Sequence, residues 1–84
     1  MKNKLMISDN LKQLTKIFRS VLDNDELTLN ESMNLNDIEG WDSLGHVRLI
    51  MSIEKNFKIR FTGEEISNLE NIGKIINLIY IKQN

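Results

Sequence analysis

The residues best equipped for chemistry fall in one short segment, Gly40-Trp41-Asp42-Ser43-Leu44-Gly45-His46-Val47. It contains a hydroxyl, a carboxylate, the chain's only imidazole and its only indole. Ser43 and His46, three apart on one helix, could be taken for a nucleophile and its base. A hydrolytic serine also needs an orienting acid and an oxyanion hole in a sheltered pocket. Nothing in the sequence supplies that pocket, so no enzyme is expected and no catalytic residue is assigned. Structural metal chemistry is equally poorly served, with no cysteine and one histidine. The segment does offer a hydroxyl at a helix start. Asp42 is a good N-cap, which places Ser43 in the first turn, near solvent and near amides the helix leaves unpaired. A phosphate attached there would sit in the positive end of the helix field. As a bare dipeptide, Asp42-Ser43 reads as an ordinary capping pair; its place at the end of a long acidic loop, with Val47, Ile50 and Met51 following close to the serine, is what sets it apart. Trp41 reads as an anchor for the segment, His46 as a surface residue near the serine, and Gly45 as room for a partner to approach.

Four helical patterns must position this segment. Leu11, Leu14, Phe18, Val21 and Leu22 recur at spacings of three and four and predict an amphipathic first helix, with Ser8, Asp9 or Asn10 available as its cap. Leu44, Val47, Ile50, Met51, Ile53 and Phe57 predict a second long helix from Ser43 to Phe57. Thr62 and Glu65 fit a capping box that opens a short third helix, followed by Ile66 and Leu69. Asn71 caps a fourth, on which Ile72, Ile75, Ile76 and Ile79 form one stripe reaching to about Lys82. Between the first two lies a polar stretch, Asp23 to Asp42, too long for an ordinary connection. Its scattered Leu27, Leu29, Met33, Leu35 and Ile38 suit a segment draped over a bundle.

The expected fold is therefore all-α: a four-helix bundle of three longer helices and one short helix, with a long loop between helices one and two. The 84 residues leave room for one domain over residues 1–84, the bundle occupying about 8–82 and a short flexible segment preceding it. With no proline and four glycines, helices are favoured over turn-rich β structure. No apolar run approaches the roughly 20 residues that span a bilayer, and the start lacks a signal peptide's apolar core, so a cytoplasmic location is expected. A formal net charge of -1 argues against nucleic acid as a partner. The charge is unevenly spread. Lys2, Lys4, Lys12, Lys16 and Arg19 face only Asp9 in residues 1–22, whereas Asp23, Asp25, Glu26, Glu31, Asp37, Glu39 and Asp42 follow without a Lys or Arg. That acidic stretch is either a solvated loop or a recognition surface for basic partners.

With serine, loop and bundle placed, the chain resembles the acyl carrier proteins, and Asp42-Ser43-Leu44 matches that family's attachment motif. The likeness covers nearly the whole chain, including the long first loop, the series Leu44, Val47, Leu49, Ile50 and Ile53, and Phe57 near the helix end. It implies that a separate phosphopantetheinyl transferase, using coenzyme A and magnesium, links 4'-phosphopantetheine to the Ser43 hydroxyl through a phosphodiester. Asp42 would help position metal and serine, and Leu44 would pack against partner enzymes. Val47, Arg48, Met51, Asp37 and Glu39 are the further partner-binding candidates. The implied partners are the transferase and acyl- or aminoacyl-activating and acyl-transferring enzymes, met by a monomer. Gly45 and Arg48 depart from the family's fatty-acid-synthesis carriers, which typically have acidic residues there. The departures point to a specialised route, such as modified sugars, surface polysaccharides or activated amino acids. The alternatives are an aminoacyl or peptidyl carrier, and a helical adaptor without a prosthetic group.

Overall fold

Apolar side chains recurring every three or four residues build α1 (Lys4–Leu22), α2 (Ser43–Phe57), α3 (Gly63–Ser67) and α4 (Ile72–Gln83). The computed structural model describes residues 4–83, with side chains from residue 8 onward. Helix α1 packs against both α2 and α4. Leu14, Ile17 and Phe18 of α1 join Leu49, Ile50 and Ile53 of α2 and the α4 stripe Ile72, Ile75, Ile76 and Ile79 in one buried core.

Helix α1 starts at Lys4, ahead of the predicted start at residue 8, because Lys4, Leu5 and Met6 are strong helix formers. Ser8, Asp9 and Asn10 therefore lie inside the helix and do not cap it. Asn10 is buried, and its side-chain amide exchanges two hydrogen bonds with that of Gln83, at 2.8 and 3.2 Å. This reciprocal pair ties α1 to the last turn of α4 and satisfies a polar group that burial would otherwise penalise. The flexible segment expected before the bundle lies partly in α1; residues 1–3 of it are outside the described residues.

The loop is draped over the bundle as its apolar residues suggest. Leu35 and Ile38 are buried, Leu27, Leu29, Met33 and Trp41 pack against the core, and a short 3-10 helix forms at Leu35–Asp37. Backbone hydrogen bonds fasten the loop to the junction before α4: Leu35 N–H to Glu70 O, Ile72 N–H to Met33 O and Gly73 N–H to Glu31 O, each 2.9 Å. Asn34 and Asn71 form an isolated antiparallel bridge at the same place. Gly73 is required by this approach, since an added Cβ would lie 2.9 Å from Glu31 O. At the loop's other end, Arg19 Nε donates to Leu27 O at 2.7 Å.

Helix α3 has no buried residue and depends on its ends. Its capping box is complete: Glu65 N–H donates to Thr62 Oγ1 and Thr62 N–H to Glu65 Oε1. The same Glu65 oxygen meets Lys82 Nζ of α4 at 2.8 Å, and that ammonium stands 5.8 Å from the Phe61 ring centre. The hydrogen bond from Lys82, then that from the Thr62 amide, holds the Glu65 carboxyl below its ordinary pKa. Leu69, buried just beyond α3, leads into the Asn71 cap, whose Oδ1 accepts from Lys74 N–H at 2.8 Å.

Candidate functional site

The loop turns into α2 at Gly40, whose φ of +86° is a conformation L side chains rarely adopt. Trp41 follows, its amide donating to Ile38 O at 3.1 Å. Its ring stacks on Phe18 of α1, with centroids 5.9 Å apart and planes 15° apart, and meets the His46 ring edge-on at 5.4 Å. Trp41 is thus the anchor expected from the sequence.

Asp42 is extended and accepts a hydrogen bond from Gly45 N–H at 2.7 Å, so it caps α2. Ser43 then occupies the first helical position with its side chain exposed. Gly45 is buried, which corrects its reading as an opening for a partner: an added Cβ would lie 3.1 Å from Asp42 Oδ1 and 3.8 Å from Leu22. The glycine makes room for the capping carboxylate and for α1.

His46 differs from the expected surface residue. It is half-buried, and its Nε2 lies 3.3 Å from Ile66 O, bridging α2 to α3. Because a carbonyl only accepts, a hydrogen bond here is donated by Nε2. This bridge joins residues twenty apart in sequence and has no periodic signature.

Helix α2 has apolar residues on two sides. Leu49, Ile50 and Ile53 are buried, whereas Leu44, Val47 and Met51 remain 66, 54 and 64 % exposed. Leu44, Val47 and Met51 are spaced as one stripe starting beside Ser43, with exposed Arg48 adjoining it. Asp37 and Glu39 are exposed on the approach to α2. Among the described residues, neither of them nor Arg48 forms an ion pair.

A phosphopantetheine phosphodiester fits this arrangement. Ser43 presents its hydroxyl to solvent, and the first-turn amides of Ser43 and Leu44 have no acceptor within the helix. The helix start favours an added anion. An open depression of about 460 Å³, lined by Asn36, Trp41, Asp42, Ser43, His46 and Val47, lies beside the hydroxyl. A second hollow, of about 500 Å³ between α3 and α4, is lined by Thr62, Glu65, Asn77 and Leu78 among others and does not reach Ser43.

Comparison with known proteins bears on this geometry. The family model described as "Phosphopantetheine attachment site" matches residues 12–79, spanning the loop, Ser43 and most of the bundle. An acyl carrier protein of Caulobacter vibrioides is 30% identical over 73 residues, which is 87% of this chain and 94% of that protein. The solution structure of a holo acyl carrier protein from Geobacter metallireducens is 42% identical, with a TM-score of 0.80 over 87% of this chain and 84% of that one. The crystal structure of an acyl carrier protein from Thermotoga maritima, 22% identical, shares the fold, with a TM-score of 0.82 over 96% of this chain and 94% of that one.

Proposed function

The chain belongs to the acyl carrier protein family, and we propose that Ser43 bears its prosthetic arm and that the cargo serves a specialised biosynthetic route. Membership makes the protein a non-catalytic carrier of covalently attached 4'-phosphopantetheine. When bound, that group supplies a thiol that holds acyl cargo as a thioester.

The observation that carries the Ser43 assignment is its position: an exposed hydroxyl in the first turn of α2, behind the Asp42 cap and within the matched residues 12–79. A phosphopantetheinyl transferase would find Asp42 and Leu44 on either side of that hydroxyl. The Leu44, Val47 and Met51 stripe supports docking of the transferase and of acyl-activating and acyl-transferring enzymes, since exposed large apolar residues grouped on a small protein mark interaction surfaces. Asp37 and Glu39 would meet basic groups of those partners, and Arg48 an acidic or neutral patch. Arg48, with the buried Gly45, supports a pathway other than fatty-acid synthesis. The chain would act as one monomeric domain in the cytoplasm; among the described residues no helix is long and apolar enough to cross a membrane.

Thiol titration tests the attachment residue, because the chain has no cysteine. Incubation with coenzyme A, magnesium and a promiscuous transferase should raise the count from none to one per chain, and Ser43→Ala should remain at none. A thiol gained by Ser43→Ala would move the arm to another residue.

A further inference from the structure

We propose that the depression beside Ser43 is a resting subsite for the phosphopantetheine arm, in which its pantoyl portion lies against Trp41 and Val47. This rests on the assignment of Ser43 as the attachment residue. Ser43 itself lines the depression, so an arm leaving its hydroxyl starts at the rim. The volume of about 460 Å³ lies within the roughly 300–1,000 Å³ of small-molecule sites.

The lining suits the arm's chemistry. Pantetheine carries two methyls on a quaternary carbon, then a hydroxyl and two amides. Val47, more than half exposed, and the half-buried indole of Trp41 offer apolar surface to the methyls. The Trp41 N–H can donate to an arm carbonyl: among the described residues nothing accepts a hydrogen bond from it, and it is not sealed from solvent. Asn36 is exposed, with no side-chain hydrogen bond among the described residues, and offers both a donor and an acceptor.

The wall is also pre-formed. Trp41 is held between the Phe18 face and the His46 ring, and His46 is held by Ile66 O. Little ordering of the protein is needed when the arm settles, which removes one of the usual costs of binding. Tethering lowers the requirement further, because a short flexible link gives an effective concentration on the order of millimolar. Weak contacts therefore suffice, and an open site releases the arm readily. Val47 belongs both to this wall and to the exposed stripe on α2. A partner that covers the stripe competes for Val47 and frees the arm for its own active site.

The test uses isotope-labelled holo-protein bearing an unlabelled arm, with one adduct per chain confirmed by intact mass. Filtered nuclear Overhauser spectra should show cross-peaks from the arm methyls to the Trp41 indole protons and the Val47 methyls. Val47→Ser and Asn36→Ala, both surface changes, should weaken the cross-peaks to Trp41. A confirmed adduct with arm methyl resonances at their free-pantetheine positions and no cross-peaks to Trp41 or Val47 overturns the subsite alone. Cross-peaks to Trp41 that neither substitution weakens overturn the assigned lining. No adduct at all overturns the attachment residue and the subsite together.

Discussion

Asp42 combines a structural and a chemical position. Its carboxylate accepts the Gly45 amide at 2.7 Å and so caps α2, while the adjacent Ser43 presents an exposed hydroxyl, the proposed attachment point of the arm. Asparagine caps about as well as aspartate but brings no charge to the transferase's magnesium. Asp42→Asn should therefore leave helix content by circular dichroism nearly unchanged. Loading should slow by roughly 10- to 100-fold, the range for residues that support a bound metal from outside its coordination sphere. Equal loss of helix and loading would give Asp42 a structural role only. Arg48 is separable from folding because it is exposed and forms no ion pair among the described residues. If Arg48 selects against partners with basic docking patches, Arg48→Glu should bind a fatty-acid-synthesis ketosynthase roughly tenfold more tightly than wild type, about 1.4 kcal/mol. Unchanged affinity in a titration would make Arg48 ordinary surface.

The loop behaves as an element in its own right. Ile38 is 4 % exposed, as well buried as many helical core residues, and Leu35 beside it donates its amide to Glu70 O. Ile38→Ala should cost about 2–5 kcal/mol in urea unfolding, the range for removing a buried aliphatic side chain. A loss below about 0.5 kcal/mol, typical of surface changes, would contradict the draped-loop account. Helix α3 depends on Glu65, whose folded pKa is lowered by Lys82 and by the Thr62 amide. A lowered carboxyl pKa means stability that is present above the unfolded glutamate value, about 4.3, and is lost as pH falls through the folded value. Wild type should therefore lose more stability than Glu65→Gln between neutral pH and acid, as followed by thermal unfolding. Parallel pH profiles would remove Glu65 from the acid response.

These elements differ in how far they can be read from sequence. Local signals sufficed for the Asp42 cap, the Thr62–Glu65 box, the Asn71 cap and the buried stripe of α4, because each acts within a turn or two. Ser8, Asp9 and Asn10 have the composition of a cap yet lie inside α1, and the pairing of Asn10 with Gln83 shows what Asn10 does. His46 with Ile66 O and Gly73 with Glu31 O join residues twenty or more apart. Such contacts are set by packing and leave no period. The space at Gly45 is taken up by the capping carboxylate of Asp42 and by Leu22 of a different helix, and neither occupancy shows as a period in the sequence.

At the scale of the whole molecule, a small helical core leaves the Ser43 hydroxyl exposed at the start of α2, with an exposed apolar stripe beside it. The core closes around Leu14, Phe18, Leu49, Ile53 and the α4 isoleucines, whereas Leu44, Val47 and Met51 stay in solvent. This division suits a carrier: the bundle can stay folded while the exposed stripe on α2 serves as the proposed docking face. The proposed attachment of the arm at Ser43 underlies each of these roles. Its most direct test is intact mass followed by peptide mapping, after incubation with coenzyme A, magnesium and a phosphopantetheinyl transferase. The expected result is a single phosphopantetheine adduct located on the peptide containing Ser43, and an unmodified but folded Ser43→Ala. An adduct on another residue, or a folded wild type that remains unmodified, would contradict it.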